Sequence, residues 1–332
     1  MASGQHSTVI EQLVVLTYSI WKDQRVQTLT SLTGTALLLY VAYHAVLTLW
    51  FWIKPGGILI YCHSETGSWA LVTGASDGIG QAFSDDLLKR GFNVLLHGRN
   101  PQKLDGVRKK LAQKYPRRSV DIVVADASKV DESYKVVAEK VKQLPGKLTI
   151  LVNNVGGVST YPQYVPHAEM AHENIDTLLN INLRFPTQLT AALLPTLKAN
   201  APAAILNCGS MGGLMAMPYI ITYAATKAYI RHFTECLRTE MIAEGTTNVE
   251  VMGWSIGNVE SNSNRFQIAG TATSEECAIA SLDRVGCGRG FTFPRWLDFV
   301  QARGAQMLPE RLVRKITIAE MSNRRIAEQK SL

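Results

Sequence analysis

The stretch "WALVTGASDGIG" (residues 69–80) runs from an apolar segment into a polar turn that carries Gly74, Gly78 and Gly80. The following "GQAFSDDLLKRG" (80–91) reads as a helix stopped at Gly91. Strand, glycine turn and helix in that order bring a helix N-terminus, with its free N–H groups and positive dipole end, next to a backbone that can approach an anion closely. The spacing is G-x-x-x-G-x-G rather than G-x-G-x-x-G, but the mechanics suit a pyrophosphate equally. An ordinary strand–helix turn also uses glycine, so this stretch alone leaves both readings open.

Downstream the alternation persists. "FNVLLHGR" (92–99), "VDIVVADAS" (120–128), "KLTILVNNVGG" (147–157), "AAILNCGS" (203–210) and "VEVMGWS" (249–255) read as strands separated by helical segments. Such alternation predicts an α/β fold: a doubly wound, Rossmann-like parallel sheet with helices on both faces. In sheets of this kind the ligand site lies at the carboxyl ends of the strands. The polar motifs fall at those ends, which argues for one shared site.

Composition sets outer limits. The chain has 332 residues, 46% hydrophobic and 18% charged, with a net charge of +7. That is a globular composition with room for one large domain and an appendage. The basic residues are dispersed, and no run interleaves them with aromatics as a nucleic-acid reader would, so nucleic acid is not expected as a partner. A basic surface suits an anionic membrane or a polyanionic cofactor. Five scattered cysteines, none in CxxC spacing, read as free thiols in a reducing compartment, and the histidines do not cluster with them as metal ligands.

The appendage is N-terminal. "ALLLYVAYHAVLTLWFWI" (36–53) is an uncharged apolar run, long enough with Thr33–Thr35 to span a bilayer as a helix of about 33–53. Trp50 and Trp52 with Lys54 form an interfacial flank, and "PGG" (55–57) ends the helix. A cleavable signal peptide fits poorly because the run starts late and lacks a small-residue cleavage site. The expected organisation is a membrane anchor over residues 1–65, a Rossmann-type domain over 66–290 and a basic, amphipathic extension over 291–332. Within the last, "FTFPRWLDFVQARGAQMLPERLVR" (291–314) fits either an amphipathic lip on membrane or substrate, or a plain helix packed on the sheet.

"TYAATKAY" (222–229) places Tyr223 and Lys227 four apart, on one face of a helix. An ammonium beside a phenol favours the ionised form, so a lowered pKa is expected for Tyr223, suiting general acid–base work on a carbonyl/alcohol pair. Ser210, ending the strand "AAILNCGS", offers a hydroxyl to the same oxygen.

Taken together, these residues resemble the short-chain dehydrogenase/reductase family over roughly Trp69–Gly290. The resemblance rests on the glycine turn, "NNVG" (153–156), Asn182 in "NINL" (180–183), Ser210, and the Tyr223–Lys227 pair. It implies Tyr223 as proton donor, Lys227 as the group that lowers its pKa and holds the nicotinamide ribose, Ser210 as the carbonyl-orienting hydroxyl, and Asn182 in a water-linked relay to Lys227. It places Asp126 by the adenine and Asn153 in the cofactor cleft. The expected cofactor-binding set is Gly74, Ser76, Asp77, Gly78, Ile79, Gly80, Arg99, Asp126, Asn153, Tyr223, Lys227 and Val259. The second strand ends "LLHGRN" with no acid for a ribose 2′-hydroxyl; Arg99 there suits a 2′-phosphate, so NADPH is expected over NAD(H).

Within the family, "GSWALVTGASDGIG" and "TILVNNVGGVSTYPQY" are similar to the membrane-bound branch of very-long-chain 3-oxoacyl-CoA reductases and some 17β-hydroxysteroid dehydrogenases. This implies an endoplasmic-reticulum membrane protein with a cytosolic catalytic domain, a lipophilic ketone or acyl-CoA substrate, and homo-oligomers as in many members. Departures stand on the substrate side: Ile256-Gly257 where Pro-Gly is usual, and Cys208-Gly209 where a second serine is common. A ketone of a steroid or specialised-metabolite pathway, or an inactive membrane scaffold, are the alternatives.

Overall fold

Strand alternation decides which helices cover which face of the sheet. The strands are β1 (Ser68–Thr73), β2 (Asn93–Gly98), β3 (Val120–Val124), β4 (Lys147–Asn153), β5 (Ala203–Cys208), β6 (Val249–Trp254) and β7 (Phe291–Thr292). The structure is a computed structural model that describes residues 3–63, 67–158, 160–261, 264, 266 and 270–331. All seven strands pair in parallel in the order β3-β2-β1-β4-β5-β6-β7. Strand order reverses between β1 and β4, and the crevice at that switch point opens at their carboxyl ends.

The helices are α1 (Ser3–Lys22), α2 (Gln24–Ile53), α3 (Gly78–Lys89), α4 (Pro101–Lys114), α5 (Val130–Lys142), α6 (His172–Leu179), α7 (Phe185–Ala199), α8 (Ile221–Ala243), α9 (Ser274–Leu282), α10 (Trp296–Met307) and α11 (Glu310–Ser331). One sheet face buries Ala70, Val72, Leu96, Ile150, Leu206 and Met252 against Phe83 and Leu87 of α3, Leu104 of α4 and Leu282 of α9. The other buries Leu71, Leu95, Leu151, Ile205 and Val251 against Val137 of α5, Leu189 and Leu193 of α7, and Met241 of α8. Both faces are dry, which explains strands that read as continuous apolar runs.

Local chemistry sets the helix starts. Asp77 caps α3, its carboxylate accepting from Gly78 N at 2.7 Å. Asn100 caps α4 at 2.9 Å from Lys103 N, with Pro101 at the first helical position. Thr273 and Glu276 form a reciprocal capping box on α9.

The chain divides into two compact units, residues 1–54 and 55–332. In the first, α2 is a thirty-residue helix, long and apolar enough to cross a membrane. It extends further toward the N-terminus than the expected 33–53. Its first turns carry Thr28, Thr30 and Thr33, whose hydroxyls donate to carbonyls four residues back, so these polar side chains do not interrupt the helix. The boundary expected at 65/66 involves residues outside the described set. In the second unit β7 lies at the start of the 291–332 segment, which therefore supplies the last strand of the sheet as well as α10 and α11.

Phe83 is fully buried and stacks on Trp254 with ring centroids 5.7 Å apart, joining α3 to β6 beneath the glycine turn. Phe83→Ala is expected to cost about 3–5 kcal/mol of stability, read as a lowered denaturation midpoint. A loss under about 1 kcal/mol would mean that this contact does not tie α3 to the sheet.

Candidate active site

At the switch point the ends of β1 and β4 are fastened together. The Thr73 hydroxyl donates to Val152 O at 3.1 Å and accepts from Asn154 N at 2.9 Å and Val155 N at 3.0 Å. The Asn154 amide donates back to Thr73 O at 2.9 Å and Gly74 O at 3.3 Å. Gly74 is at φ +67°, and a Cβ there would lie 3.0 Å from Val155 Cα. A Cβ on Gly80 would lie 2.1 Å from Gly74 O, so the turn can fold back on α3 only with glycine at that position.

This turn borders a cavity of about 710 Å³. Of the sequence-predicted residues, Gly74, Asp77, Gly78, Ile79, Gly80, Ser210, Tyr223, Lys227 and Val259 line it. A glycine turn at the N-terminus of α3, facing a cavity of this size, fits the pyrophosphate of a dinucleotide.

Other predicted residues lie outside the lining. Asn153 was expected in the cleft, but its side chain is buried within the fold, its amide donating to Thr190 Oγ1 at 2.9 Å and Asn207 Oδ1 at 2.8 Å. The neighbouring Asn154 takes the cavity wall instead, because successive residues leaving a strand point to opposite sides. Asp126 accepts from Ser128 N at 3.0 Å and Ser128 Oγ at 2.9 Å, so its carboxylate organises its own turn. Ser76 lies beside the end of β2: its Oγ would be 3.5 Å from a Cβ on Gly98. Arg99, just beyond β2, is exposed.

Asn182 is also set back from the cavity. It sits in a π turn, Asn180–Arg184, between α6 and α7. Its Oδ1 accepts from Gly157 N at 2.8 Å, and its Nδ2 donates to Gly157 O at 3.0 Å and Leu178 O at 3.1 Å. A Cβ on Gly156 would meet Asn182 Oδ1 at 2.7 Å and Lys227 Nζ at 3.1 Å, so the two side chains border one glycine. A π turn widens the helix locally and frees backbone groups, a feature frequent at functional sites.

Ser210, Tyr223 and Lys227 converge. Ser210 Oγ accepts from Gly212 N at 3.0 Å, and Ser210 lines the cavity with Tyr223. Lys227 Nζ donates to Cys208 O at 2.9 Å and lies 5.8 Å from the Tyr223 ring centroid. Tyr223 is half-buried and lines the cavity. Burial raises the Tyr223 phenol above its ordinary value, against the lowering by Ser210, and burial lowers the Lys227 ammonium. The direction is opposite to the expected fall, and its leading cause is burial of the phenol. Burial also pushes the neighbouring Cys208 thiol up to about 12, which keeps it protonated and unreactive.

Several cavity residues carry no motif. Gln163 and Tyr164 follow the "NNVGG" strand end; Gln301 comes from α10; Glu320, Met321 and Arg324 come from α11. No spacing in the sequence joins α11 to residues more than one hundred positions earlier.

The family model for short chain dehydrogenase matches residues 68–270. The very-long-chain 3-oxoacyl-CoA reductase-A of Danio rerio is 33% identical over 257 residues, covering 77% of this chain and 78% of that protein. Hydroxysteroid dehydrogenase-like protein 1 of Gallus gallus is 35% identical over 179 residues, covering 54% of this chain and 53% of that protein. Among solved structures, the NADPH-bound short-chain oxidoreductase of Pseudomonas aeruginosa PAO1 is similar with a TM-score of 0.59 and 25% identity, covering 68% of this chain and 93% of that one. The match over the sheet and its glycine turn, with relatives over most of the chain's length, makes this chain a member of the short-chain dehydrogenase/reductase family of oxidoreductases.

Proposed function

We propose that the chain reduces a ketone on a lipophilic substrate to a secondary alcohol with NADPH, and that the substrate is a long-chain 3-oxoacyl-CoA. The observation that carries this reading is the convergence of Ser210, Tyr223 and Lys227 on the cavity bordered by the glycine turn. The similarity to a very-long-chain 3-oxoacyl-CoA reductase over most of both chains supports the acyl substrate. When bound, NADPH supplies the hydride. Gly74, Gly78 and Gly80 would hold its pyrophosphate with the N–H groups of α3, and Val259 would border it.

The remaining chemistry belongs to this chain's side chains. Tyr223, kept neutral by burial, donates its proton to the carbonyl oxygen as charge develops there. Ser210 hydrogen-bonds the same oxygen and orients it. Lys227 stabilises the tyrosinate left behind, and Asn182 holds the Gly156–Gly157 backbone that borders Lys227. In this reading α2 anchors the protein in the endoplasmic-reticulum membrane with the reductase domain in the cytosol, which brings a bilayer-held acyl chain to the site.

Detergent-solubilised protein is expected to oxidise NADPH with a long-chain 3-oxoacyl-CoA and to leave a ketosteroid unturned. Turnover of the steroid alone would move the substrate to the hydroxysteroid class. Tyr223→Phe should lower kcat by about 10²–10⁴-fold with NADPH binding retained; turnover surviving that change would remove Tyr223 from the chemistry.

The free protein should show the Tyr223 phenol titrating above the ordinary tyrosine value of about 10, as a 295 nm absorbance difference between wild type and Tyr223→Phe. The sign follows from burial, which disfavours the anion; tyrosinate appearing near neutrality would show that Lys227 dominates instead. Arg99→Asp should shift cofactor preference from NADPH toward NADH by about tenfold or more in kcat/KM, and an unchanged ratio would remove Arg99 from 2′-phosphate recognition.

A further inference from the structure

Gly257 and Gly270 bound the stretch of chain that follows β6, and one ion pair at the start of α10 holds both of them. The Arg295 guanidinium forks onto Asp298, Nε donating to Oδ2 at 3.0 Å and Nη2 to Oδ1 at 2.7 Å. The same Nη2 donates to Gly270 O at 2.8 Å. The Asp298 carboxylate abuts the other end: a Cβ on Gly257 would lie 2.4 Å from its Oδ1. Gly270 also rests on α10, where a Cβ would lie 3.1 Å from Gln301 Nε2 and 3.1 Å from Leu297 Cδ2. The Asp298 side chain is 3% exposed and that of Arg295 19%. Burying an ion pair is a poor source of stability, because desolvation offsets the attraction. A bidentate fork does fix geometry.

Between the two glycines the described residues brace one another. The Asn258 amide donates to Thr271 Oγ1 at 2.7 Å and Phe266 O at 2.9 Å, and its Oδ1 accepts from Asn264 Nδ2 at 2.8 Å. Ala272 N donates to Asn258 O at 3.0 Å, and Glu260 N to Ala272 O at 2.9 Å. A segment bonded to itself in this way shifts as a unit, so whatever holds its ends sets where all of it lies. It lies against the glycine turn. Gly257, Asn258, Val259, Ser261 and Asn264 line the cavity, and a Cβ on Gly78 would be 3.3 Å from Ser261 Cβ.

We propose that Arg295 and Asp298 are positioning residues for the cofactor: by gripping both ends of this segment they seat it over the pyrophosphate of NADPH. Both side chains stand behind the segment, outside the cavity lining, and act through it. This rests on the reading that the glycine turn holds the pyrophosphate, and it adds what holds the facing wall.

The test is equilibrium binding to the full-length, detergent-solubilised protein. The two probes are NADPH and adenosine 2′-monophosphate, which carries adenine, ribose and 2′-phosphate but no pyrophosphate. Arg295→Leu should raise Kd for NADPH by about tenfold and leave Kd for adenosine 2′-monophosphate within about twofold. Asp298→Asn, which keeps the size and loses the charge, should act in the same direction. Arg295→Lys, which keeps the charge and loses the fork, should lose less affinity, and it decides the matter where the leucine variant does not fold. An unchanged Kd for NADPH, or equal losses for the two ligands, would overturn the clasp alone. A wild-type protein that binds NADPH no more tightly than adenosine 2′-monophosphate would overturn the pyrophosphate reading and the clasp with it.

Discussion

The ends of β1 and β4 come together at Gly74, whose φ of +67° is one that side chains rarely adopt and whose Cβ would lie 3.0 Å from Val155 Cα. The Thr73 hydroxyl and the Asn154 amide hold that approach with hydrogen bonds to main-chain groups on both sides. Three consequences follow from this one constraint. The chain must turn sharply after β1, α3 must begin at the turn with Asp77 as its cap, and the space ahead of its N-terminus must stay open. A parallel sheet supplies the constraint because strand order reverses here and the two crossovers depart to opposite faces.

Around that opening, three polar side chains find backbone partners. Lys227 finds the carbonyl of Cys208, Ser210 the amide of Gly212, and Asn182 both main-chain groups of Gly157. These bonds fix side-chain positions before any ligand arrives, which is the arrangement that electrostatic preorganisation requires. Burial raises the Tyr223 phenol above its ordinary value and lowers the Lys227 ammonium.

The chain pairs a polar, close-packed sheet end with a helix whose apolar residues run all the way round. α2 exposes Leu37, Leu38, Leu39, Val41 and Trp50, a surface with no counterpart in a water-facing helix.

Much of this was legible without coordinates. Unbroken apolar runs bounded by glycine and polar turns announce a parallel sheet because both faces are buried, and a residue's neighbours in sequence suffice to read that. The glycine turn and the Tyr223–Lys227 spacing are equally local: each function depends on residues within one turn of a helix. What adjacent residues do not reveal is direction. Asn153 and Asn154 are adjacent and chemically identical, and only the pleat decides that the first is buried beside Thr190 while the second faces the cavity. The Asp126 carboxylate accepts from Ser128 within its own turn, a contact that the sequence does not announce. The Tyr223 pKa depends on how much protein encloses the phenol, which no spacing reveals. α11 enters the site through Glu328 bonds that span more than one hundred and sixty residues. The sequence by itself determined the layers, the turn and the reactive pair, because these rest on contacts between near neighbours; the tertiary structure alone decided which polar groups face the cavity and what closes it, because burial and long-range hydrogen bonding exist only once the chain has folded.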